Sequence, residues 1–339
     1  MKKVYYSIKH KYDLIKKNNK FKVPLSFTKK MLYLHRGFLS EKYYLYELYK
    51  NDYHLYLSDY QSLQAKWIND PFTEILTNKY IFSHVFKNYV KVPLCYGLIL
   101  NGTYYSEDEK FKNLLDLQKF VLKPVTGGGG KGVFLVEIIK GKIILNNKDN
   151  INNENFNNIV KSLNNYLVCE FIEQSSFSKS LNPDSINSMR VLTMVDPLSN
   201  EPFIARASQR IGVKNSAPQD NFSKGGLSAK INLETGELSD ATTHPFTNKH
   251  FRYDHHPETG IRIKGQVIPQ WQTIKNQIIN FIKKIPMIKI AGWDILLTEN
   301  GICIIEGNHH PDPDVLQCHE PLFVDERIKN FYKYYKILK

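Results

Sequence analysis

The chain has 339 residues, 42% of them hydrophobic and 23% charged. This composition excludes a wholly disordered, collagen-like or fibrous chain and, at roughly 150 residues per domain, suggests two structural units or one large α/β enzyme with an attached lobe. Lys and Arg number 46 against 33 Asp and Glu, a net charge of +13, which favours polyanionic partners such as nucleotides, nucleotide-sugars, nucleic acid or an anionic membrane face without choosing among them.

No apolar run approaches the ~20 residues of a bilayer-spanning helix, and the opening MKKVYYSIKHKYD has no apolar signal-peptide core, so a cytoplasmic location is expected, with a peripheral place at the inner membrane face left open. Up to about Asp70 the aromatic and leucine positions recur every three or four residues, as at Tyr43, Tyr44, Tyr46, Leu48, Tyr49 and Tyr53. That spacing predicts amphipathic helices whose aromatic stripe is core. The lysine-rich runs Lys16 to Lys20 and Lys329 to Lys339 read as solvated faces, and 326–339 as a basic tail.

Asn78 to Asn88 reads as a further helix, closed ahead of Pro93 because proline ends helical geometry. Strands are predicted at Phe120 to Lys123, Val133 to Val136, Tyr166 to Phe171, Met189 to Val195, Phe203 to Arg210, Ile290 to Leu297 and Ile302 to Glu306, each β-branched or aromatic and bounded by Gly, Pro or Asn. The Asn-rich stretch Asn146 to Asn165 reads as loop, then as a helix over Asn157 to Leu163. Trp271 to Ile285 carries apolar residues at helical spacing and is expected to pack on the final hairpin. The four cysteines are scattered without metal-ligand spacing, so neither a disulfide framework nor a zinc site is predicted. The fold class is α/β (α+β) with a mainly antiparallel sheet.

Two segments carry chemistry. In FVLKPVTGGGGKGVFLVE a strand ends in Lys123-Pro124, Gly127, Gly128, Gly129, Gly130, Lys131 and Gly132 follow, and a second strand begins. Consecutive glycines let backbone N–H groups approach phosphate oxygens, and two lysines add positive charge, so the segment reads as a phosphate-gripping loop. It is not a Walker A loop, because it joins strand to strand and lacks the GK[ST] ending. In GWDILLTENGICIIEGNHHPDPD two apolar strands flank a turn at Glu299-Asn300-Gly301. Glu306 and Asn308, two apart, share a face, and Asp294 can meet them across the hairpin. Two carboxylates and an amide oxygen suit Mg²⁺.

With both segments in view the chain resembles the ATP-grasp superfamily, and within it the sugar-transfer-associated ATP-grasp family, over roughly Thr77 to Val315. The motifs that carry the resemblance are Asn78-Lys79, Val121 to Pro124 with the glycine loop, Val168 to Ile172, Ile186 to Val191, Asp220-Asn221 with Gly225-Gly226, His256 to Gly260, and Gly292-Trp293-Asp294 through Glu306-Gly307-Asn308. The resemblance implies two α+β lobes gripping ATP: a first lobe over 71–172 and a second over 173–325, behind a helical region 1–70. It implies that Lys123 and Lys79 contact phosphates, and that Glu170, Phe171, Ile172 and Glu173 form the inter-lobe hinge that reads adenine and ribose. Arg190 and Arg210 would hold the γ-phosphate and an acyl-phosphate, since a guanidinium presents a planar fork to phosphate oxygens. Asp294, Glu306 and Asn308 would be the Mg²⁺ ligands.

On the substrate side the resemblance offers Asp220, Asn221, Gly225, Gly226, His256, His309 and His310, and makes the loop Asn215 to Gly226 a cover instead of a solvent loop. Adjacent histidines on an extended strand point to opposite sides, so at least one of His309 and His310 faces the acceptor. The implied activity is an ATP- and Mg²⁺-dependent carboxylate–amine ligase working through an acyl-phosphate. Its partners would be a small carboxylate and an amine or sugar acceptor, nucleotide-sugar or glycan-linked, and enzymes of polysaccharide assembly; no specific nucleic acid is expected. Two alternatives stand beside it: a phosphotransferase to a hydroxyl, and a basic nucleic-acid or membrane-surface binding module.

Overall fold

The computed structural model describes residues 2–18, 23–146, 149–245 and 251–338; Asn19 and Lys20 of the first lysine run, Asn147 and Lys148 of the Asn-rich stretch and Lys339 lie outside them. Helical spacing in the first part of the chain gives α1 (Lys2–Asn18), α2 (Phe27–His35), α3 (Lys42–Leu45), α4 (Asp59–Ala65), α5 (Glu74–Thr77) and α6 (Lys79–Phe86). The caps are local. Ser58 and Gln61 form a reciprocal capping box on α4, and Asn78 Oδ1 accepts from the backbone N–H of Tyr80 and Ile81 at the start of α6.

The next segment forms β1 (Cys95–Leu100), β2 (Thr103–Ser106), β3 (Lys119–Pro124), β4 (Phe134–Ile139), β5 (Lys142–Leu145), β6 (Asp149–Ile151), α7 (Asn153–Ser162) and β7 (Tyr166–Glu170). Its strands make a seven-stranded sheet in the order β2-β1-β7-β3-β4-β5-β6, with antiparallel pairings throughout. Then come α8 (Ser176–Leu181), β8 (Met189–Val195), β9 (Pro202–Ile211), β10 (Leu227–Ile231), β11 (Leu238–Thr243), β12 (Arg252–Tyr253), α9 (Trp271–Lys283), β13 (Ile290–Thr298), β14 (Gly301–Asn308), α10 (Asp314–Gln317) and α11 (Glu326–Tyr334). These strands form the second seven-stranded antiparallel sheet, β12-β11-β10-β9-β8-β13-β14.

Period-2 alternation in the second sheet sends its side chains into two cores. Val191, Val195, Trp293, Ile295 and Leu297 face one core, which α9 closes with Trp271, Ile274, Ile278, Phe281 and Ile282. There the Trp293 ring lies 5.1 Å from Phe281, edge to face, and its Nε1 donates to Thr193 Oγ1 at 2.8 Å. The helix expected at Trp271 to Ile285 therefore packs on the hairpin as read. Leu192, Met194, Phe203, Ala205 and Ile290 face the other core with Tyr33, Phe38, Tyr46 and Tyr56 from the N-terminal region. The aromatic stripe is core only in part: Tyr46 and Leu48 are buried, Tyr46 stacks on Tyr56 at 4.9 Å, Tyr43 and Tyr53 pack partly buried against that core, and Tyr49 faces solvent.

Two segments sit differently from the sequence expectation. Residues 71–94 were assigned to the first lobe, yet Leu76, Phe82, Phe86 and Val92 belong to the core of the second sheet. The 326–339 segment is not a solvated basic tail. It contains α11, whose Ile328, Phe331 and Tyr332 are buried in the same core as the N-terminal aromatics. Its lysines occupy the outer face of an amphipathic helix, which composition alone cannot distinguish from a tail.

Lys42 lies between the N-terminal region and α10, 2% exposed. It pairs with Glu41 Oε1 at 3.0 Å, with Asp59 Oδ1 at 3.6 Å and with Asp314, and the Tyr46 hydroxyl donates to Asp314 at 2.5 Å.

Candidate functional site

The two sheets enclose a cleft of about 680 Å³, within the range of small-molecule sites. One wall comes from β3, where period 2 puts Phe120 and Leu122 in the first-sheet core and turns Lys119, Val121 and Lys123 to the cleft. Gly127, Gly128, Gly129, Gly130 and Lys131 form its rim, and Glu170, Phe171, Ile172 and Glu173 the strip that leads into the second sheet.

The opposite wall is a row of charged residues in register across the second sheet. Glu306 on β14 faces Asp294 on β13, and Asp294 faces Arg190 on β8. Asn308 pairs with Gly292 two positions along, on the same face as Glu306. A register shift between Asp294 and Ile295 marks a bulge at the carboxylate pair, a device that re-aims side chains near sites. Arg190 Nε stands 2.6 Å from Asp294 Oδ1. Arg210 bridges Asp294 Oδ2 at 3.0 Å and Asp220 Oδ1 at 2.6 Å. Burial alone would lower the Arg210 pKa, but Asp220 and Asp294 hold it above its ordinary value.

Lys79 joins the two walls. Its Nζ donates to the Gly127 carbonyl at 2.6 Å and stands 3.6 Å from Glu306 Oε1. Burial pulls the Lys79 pKa below its usual value, against the attraction of Glu306 and with the repulsion of Lys123. The helix cap at Asn78 places this lysine, because α6 begins on it.

The loop ahead of β10 closes the glycine segment from the other side. Gln219 Nε2 donates to the Gly130 carbonyl at 2.8 Å and Asn221 Nδ2 to the Gly129 carbonyl at 3.1 Å. The 215–226 loop thus lies against the glycine segment. Asp220, in the same loop, is buried and accepts from the Ser188 N–H at 2.7 Å and hydroxyl at 2.5 Å.

Several expected substrate residues have other work. Gly225 and Gly226 do not line the cleft: Gly225 ends a short 3₁₀ turn in a left-handed conformation, and at Gly226 a Cβ would lie 2.6 Å from the Asp220 carbonyl, so the turn excludes a side chain. His256 also lies off the cleft. It is buried, with Nε2 at 2.9 Å from the Gly212 carbonyl and Nδ1 accepting from the N–H groups of Glu258 and Thr259, which makes it the pin of its loop. His309 turns away from the cleft, whereas His310 lines it, with Nε2 2.9 Å from Ser62 Oγ. Burial and then His309 lower the His310 pKa to about 4. Glu173 lines the rim, paired with Lys119 at 3.1 Å and Lys179 at 3.0 Å.

Gln219, Lys119 and Asp312 line the cleft without having been singled out from the sequence. Lys119 carried a signal, the period-2 spacing with Lys123, and its ammonium sits 4.1 Å from the Phe171 ring centroid. Gln219 carried none, since one glutamine in a polar loop is unremarkable until the loop folds over the glycines.

The donor set suits a hard cation. Asp294, Glu306 and Asn308 all reach the cleft, and Asn308 gives its Nδ2 to the Gly292 carbonyl at 3.2 Å, which leaves its amide oxygen as the atom that could coordinate.

The model of a family described as sugar-transfer associated ATP-grasp matches residues 61–331. The chain belongs to that family. The match runs beyond the Thr77 to Val315 span of the quoted motifs and takes in most of α11. No curated protein sequence matches the chain. Among solved structures, an N5-carboxyaminoimidazole ribonucleotide synthetase in its ADP complex is 13% identical, with 70% of this chain and 46% of that one covered and a TM-score of 0.39. The D-alanine-D-alanine ligase from Coxiella burnetii is 11% identical, covering 77% and 58%, TM-score 0.40. An L-amino acid ligase from Bacillus licheniformis is 12% identical, covering 70% and 42%, TM-score 0.38. The chain thus spans about half the length of these proteins. The two antiparallel sheets with a glycine loop between them are the ATP-grasp fold expected from the motifs.

Proposed function

We propose that this protein is an ATP- and Mg²⁺-dependent ligase that activates a carboxylate as an acyl-phosphate and transfers the acyl group to an amine, with a sugar or sugar-linked molecule as one partner. The observation that carries the proposal is the Asp294, Glu306 and Asn308 set facing the glycine loop, with Lys79 bonded to that loop and beside Glu306.

In this reading the glycine-loop N–H groups, Lys79 and Lys123 neutralise the phosphates. Mg²⁺, held by Asp294, Glu306 and Asn308, would supply electrostatic stabilisation of the transferring phosphoryl group. Arg190 and Arg210, already fixed by Asp294 and Asp220, present guanidinium donors where negative charge develops, so little reorganisation is needed at reaction. The carboxylate oxygen attacks the γ-phosphorus, the bond from phosphorus to the β–γ bridging oxygen breaks, and ADP leaves. The amine then attacks the acyl carbon, the carbon–oxygen bond to phosphate breaks, and the nitrogen gives up a proton. The 215–226 cover excludes water that would hydrolyse the acyl-phosphate. The proposal extends to use in polysaccharide assembly on the cytoplasmic side, a reading supported by the family's sugar-transfer association and by the supply of ATP there.

Calorimetric titration of ATP with Mg²⁺ tests the nucleotide site: wild type binds in the micromolar range, and Glu306→Ala loses most of that affinity in a Mg²⁺-dependent way. Trapping with hydroxylamine tests the reaction. A hydroxamate formed from the true carboxylate with ADP supports the ligase, whereas a stable phosphorylated product without hydroxamate refutes it in favour of a phosphotransferase.

A further inference from the structure

Away from the cleft, two groups of ligand-type side chains converge among the described residues: Glu41, His244 and Asp314, and His84, Cys95 and Glu107. In the first the Lys42 ammonium already sits against Glu41 and Asp314, so the cation there is the protein's own. The second group consists of an imidazole, a thiol and a carboxylate from three separate elements: the last turn of α6, the first residue of β1, and the residue that follows β2.

We propose that His84, Cys95 and Glu107 bind one divalent transition-metal ion of the zinc type, fastening α6 to the β1–β2 hairpin at the edge of the first sheet. Their ligand atoms all lie within 4.8 Å of one another. His84 Nε2 is 3.0 Å from Glu107 Oε2, and Cys95 Sγ is 3.5 Å from Glu107 Oε1. Zinc bonds of about 2.0–2.3 Å in tetrahedral array separate ligand atoms by about 3.3–3.8 Å, so ligand atoms that already lie within 4.8 Å of one another need draw together by at most about 1.3 Å to enclose a cation.

His84 Nδ1 is 2.9 Å from the Tyr80 carbonyl one turn earlier, which takes the Nδ1 proton and leaves Nε2 as the ligand, the usual arrangement for a metal-bound histidine. Glu107 is anchored by its own N–H to the Tyr96 carbonyl at 2.9 Å. The bulge between Cys95 and Gly97 in the β1–β7 pairing gives Cys95 a direction that regular pleating would not. Soft and borderline donors of this kind select zinc, cobalt or nickel over magnesium.

Burial and then Glu107 push the Cys95 thiol up to about 12. Metal binding at neutral pH therefore displaces one proton from Cys95, and affinity rises with pH. The consequence is mechanical. Helix α6 starts at Lys79 and buries Phe82 and Phe86 in the second-sheet core, while β1 and β2 belong to the first sheet. An ion at this point ties the edge of one sheet to the helix that carries Lys79.

The test is a titration of the untagged full-length protein with Co²⁺, without nucleotide. The proposal requires one equivalent to produce a thiolate-to-cobalt charge-transfer band in the near ultraviolet together with visible d–d bands of tetrahedral intensity, all displaced by Zn²⁺. Cys95→Ser should abolish the charge-transfer band, and His84→Ala and Glu107→Gln should each weaken binding by more than about tenfold. Glu306→Ala should leave the band unchanged, because the cleft offers oxygen donors. Glu107 is exposed, so Glu107→Gln keeps the fold and stands as the deciding variant should Cys95→Ser unfold. Absence of the charge-transfer band in wild type, its survival in Cys95→Ser, or unchanged affinity in Glu107→Gln overturns the proposal.

Discussion

Replacing Lys42 by methionine keeps the length of the side chain and removes one buried charge. Lys42 is the cation among Glu41, Asp59 and Asp314, and removing one partner of a buried ion pair costs about 3–5 kcal/mol because the other charges are left uncompensated. An unfolding entropy of about 2.1 cal/mol/K per residue over 339 residues converts that cost to a fall of about 4–7 °C in Tm. The pH dependence carries a sign. Burial works to lower the Lys42 pKa, but Asp314, Asp59 and Glu41 raise it well above 10.5, so its stabilisation is fully present below its unfolded value and lost only in strong alkali. Asp314, despite burial, is held below its ordinary value by Lys42 and by the Lys42 and Tyr46 hydrogen bonds. Its stabilisation is present above the unfolded value and disappears as pH falls through the folded one. In Lys42→Met that carboxyl loses its cation, its pKa rises, and protonation then favours the folded state. The deficit against wild type should therefore be greatest near neutrality and shrink toward pH 4, and adding Asp314→Asn should restore part of it. Thermal melts of the single and double variants between pH 4 and 8 measure this. A Tm loss under about 1 °C, or a deficit that widens as pH falls, refutes the reasoning.

Other perturbations have defined outcomes. Gly130 has φ +63° and a Cβ there would meet the Gln219 side chain, so Gly130→Ala should cost ~1–2 kcal/mol within the loop and weaken ATP binding about tenfold by calorimetry, with little change in Tm. The His310 pKa of about 4 against 6.5 unfolded is a depressed value, so the stability it confers is present above pH 6.5 and is lost as pH falls toward 4, by about 3 kcal/mol; His310→Leu should flatten that part of the stability profile. Ending the chain at Asp325 removes Ile328, Phe331 and Tyr332 from the core, each burial worth about 1.5–3 kcal/mol, so the truncated protein should expose the N-terminal helices to limited proteolysis or fail to fold.

What the sequence revealed of this protein follows from which signals are local. Apolar alternation over Met189 to Val195 and Ile290 to Leu297 sets two faces within one strand, and those strands form where expected. The Asp294, Glu306 and Asn308 set was legible for the same reason, since period 2 and a short turn bring the residues to one face. The strands β1, β2, β5, β6, β10, β11 and β12 were not singled out: most are short or carry polar residues such as Ser239 and Asp240, and tertiary pairing stabilises them more than propensity does. The placement of α6 with the second sheet and the burial of α11 depend on residues hundreds of positions away, which periodicity cannot reach. His256 illustrates the opposite error. A motif draws attention to it as a substrate contact, yet its ring is used up by hydrogen bonds to backbone groups of its own neighbourhood, and only the folded geometry reveals that.

The same distances say how the two ends of the cleft divide the chain. The end that the proposed reaction gives to phosphate is built from Lys79, Lys123, the glycine loop and the charged row of the second sheet, all within residues 61–331 of the family match. The far end is lined by His310 and Asp312. His310 is braced by Ser62 from α4, and Asp314, two residues past Asp312, is locked by Lys42 and Tyr46, which precede the matched region. Residues before 61 therefore support the wall that, under the proposed reaction, an acceptor would meet. Side chains in α3 that hold Asp314 set the position of the segment 309–314, and with it the shape of the cleft beyond Asn308. If that division is right, Lys42→Met should leave ATP affinity close to wild type in a titration below the melting transition, while altering turnover of whichever acceptor is found. Loss of ATP affinity in parallel with turnover would instead show that the N-terminal region and the nucleotide wall move as one body.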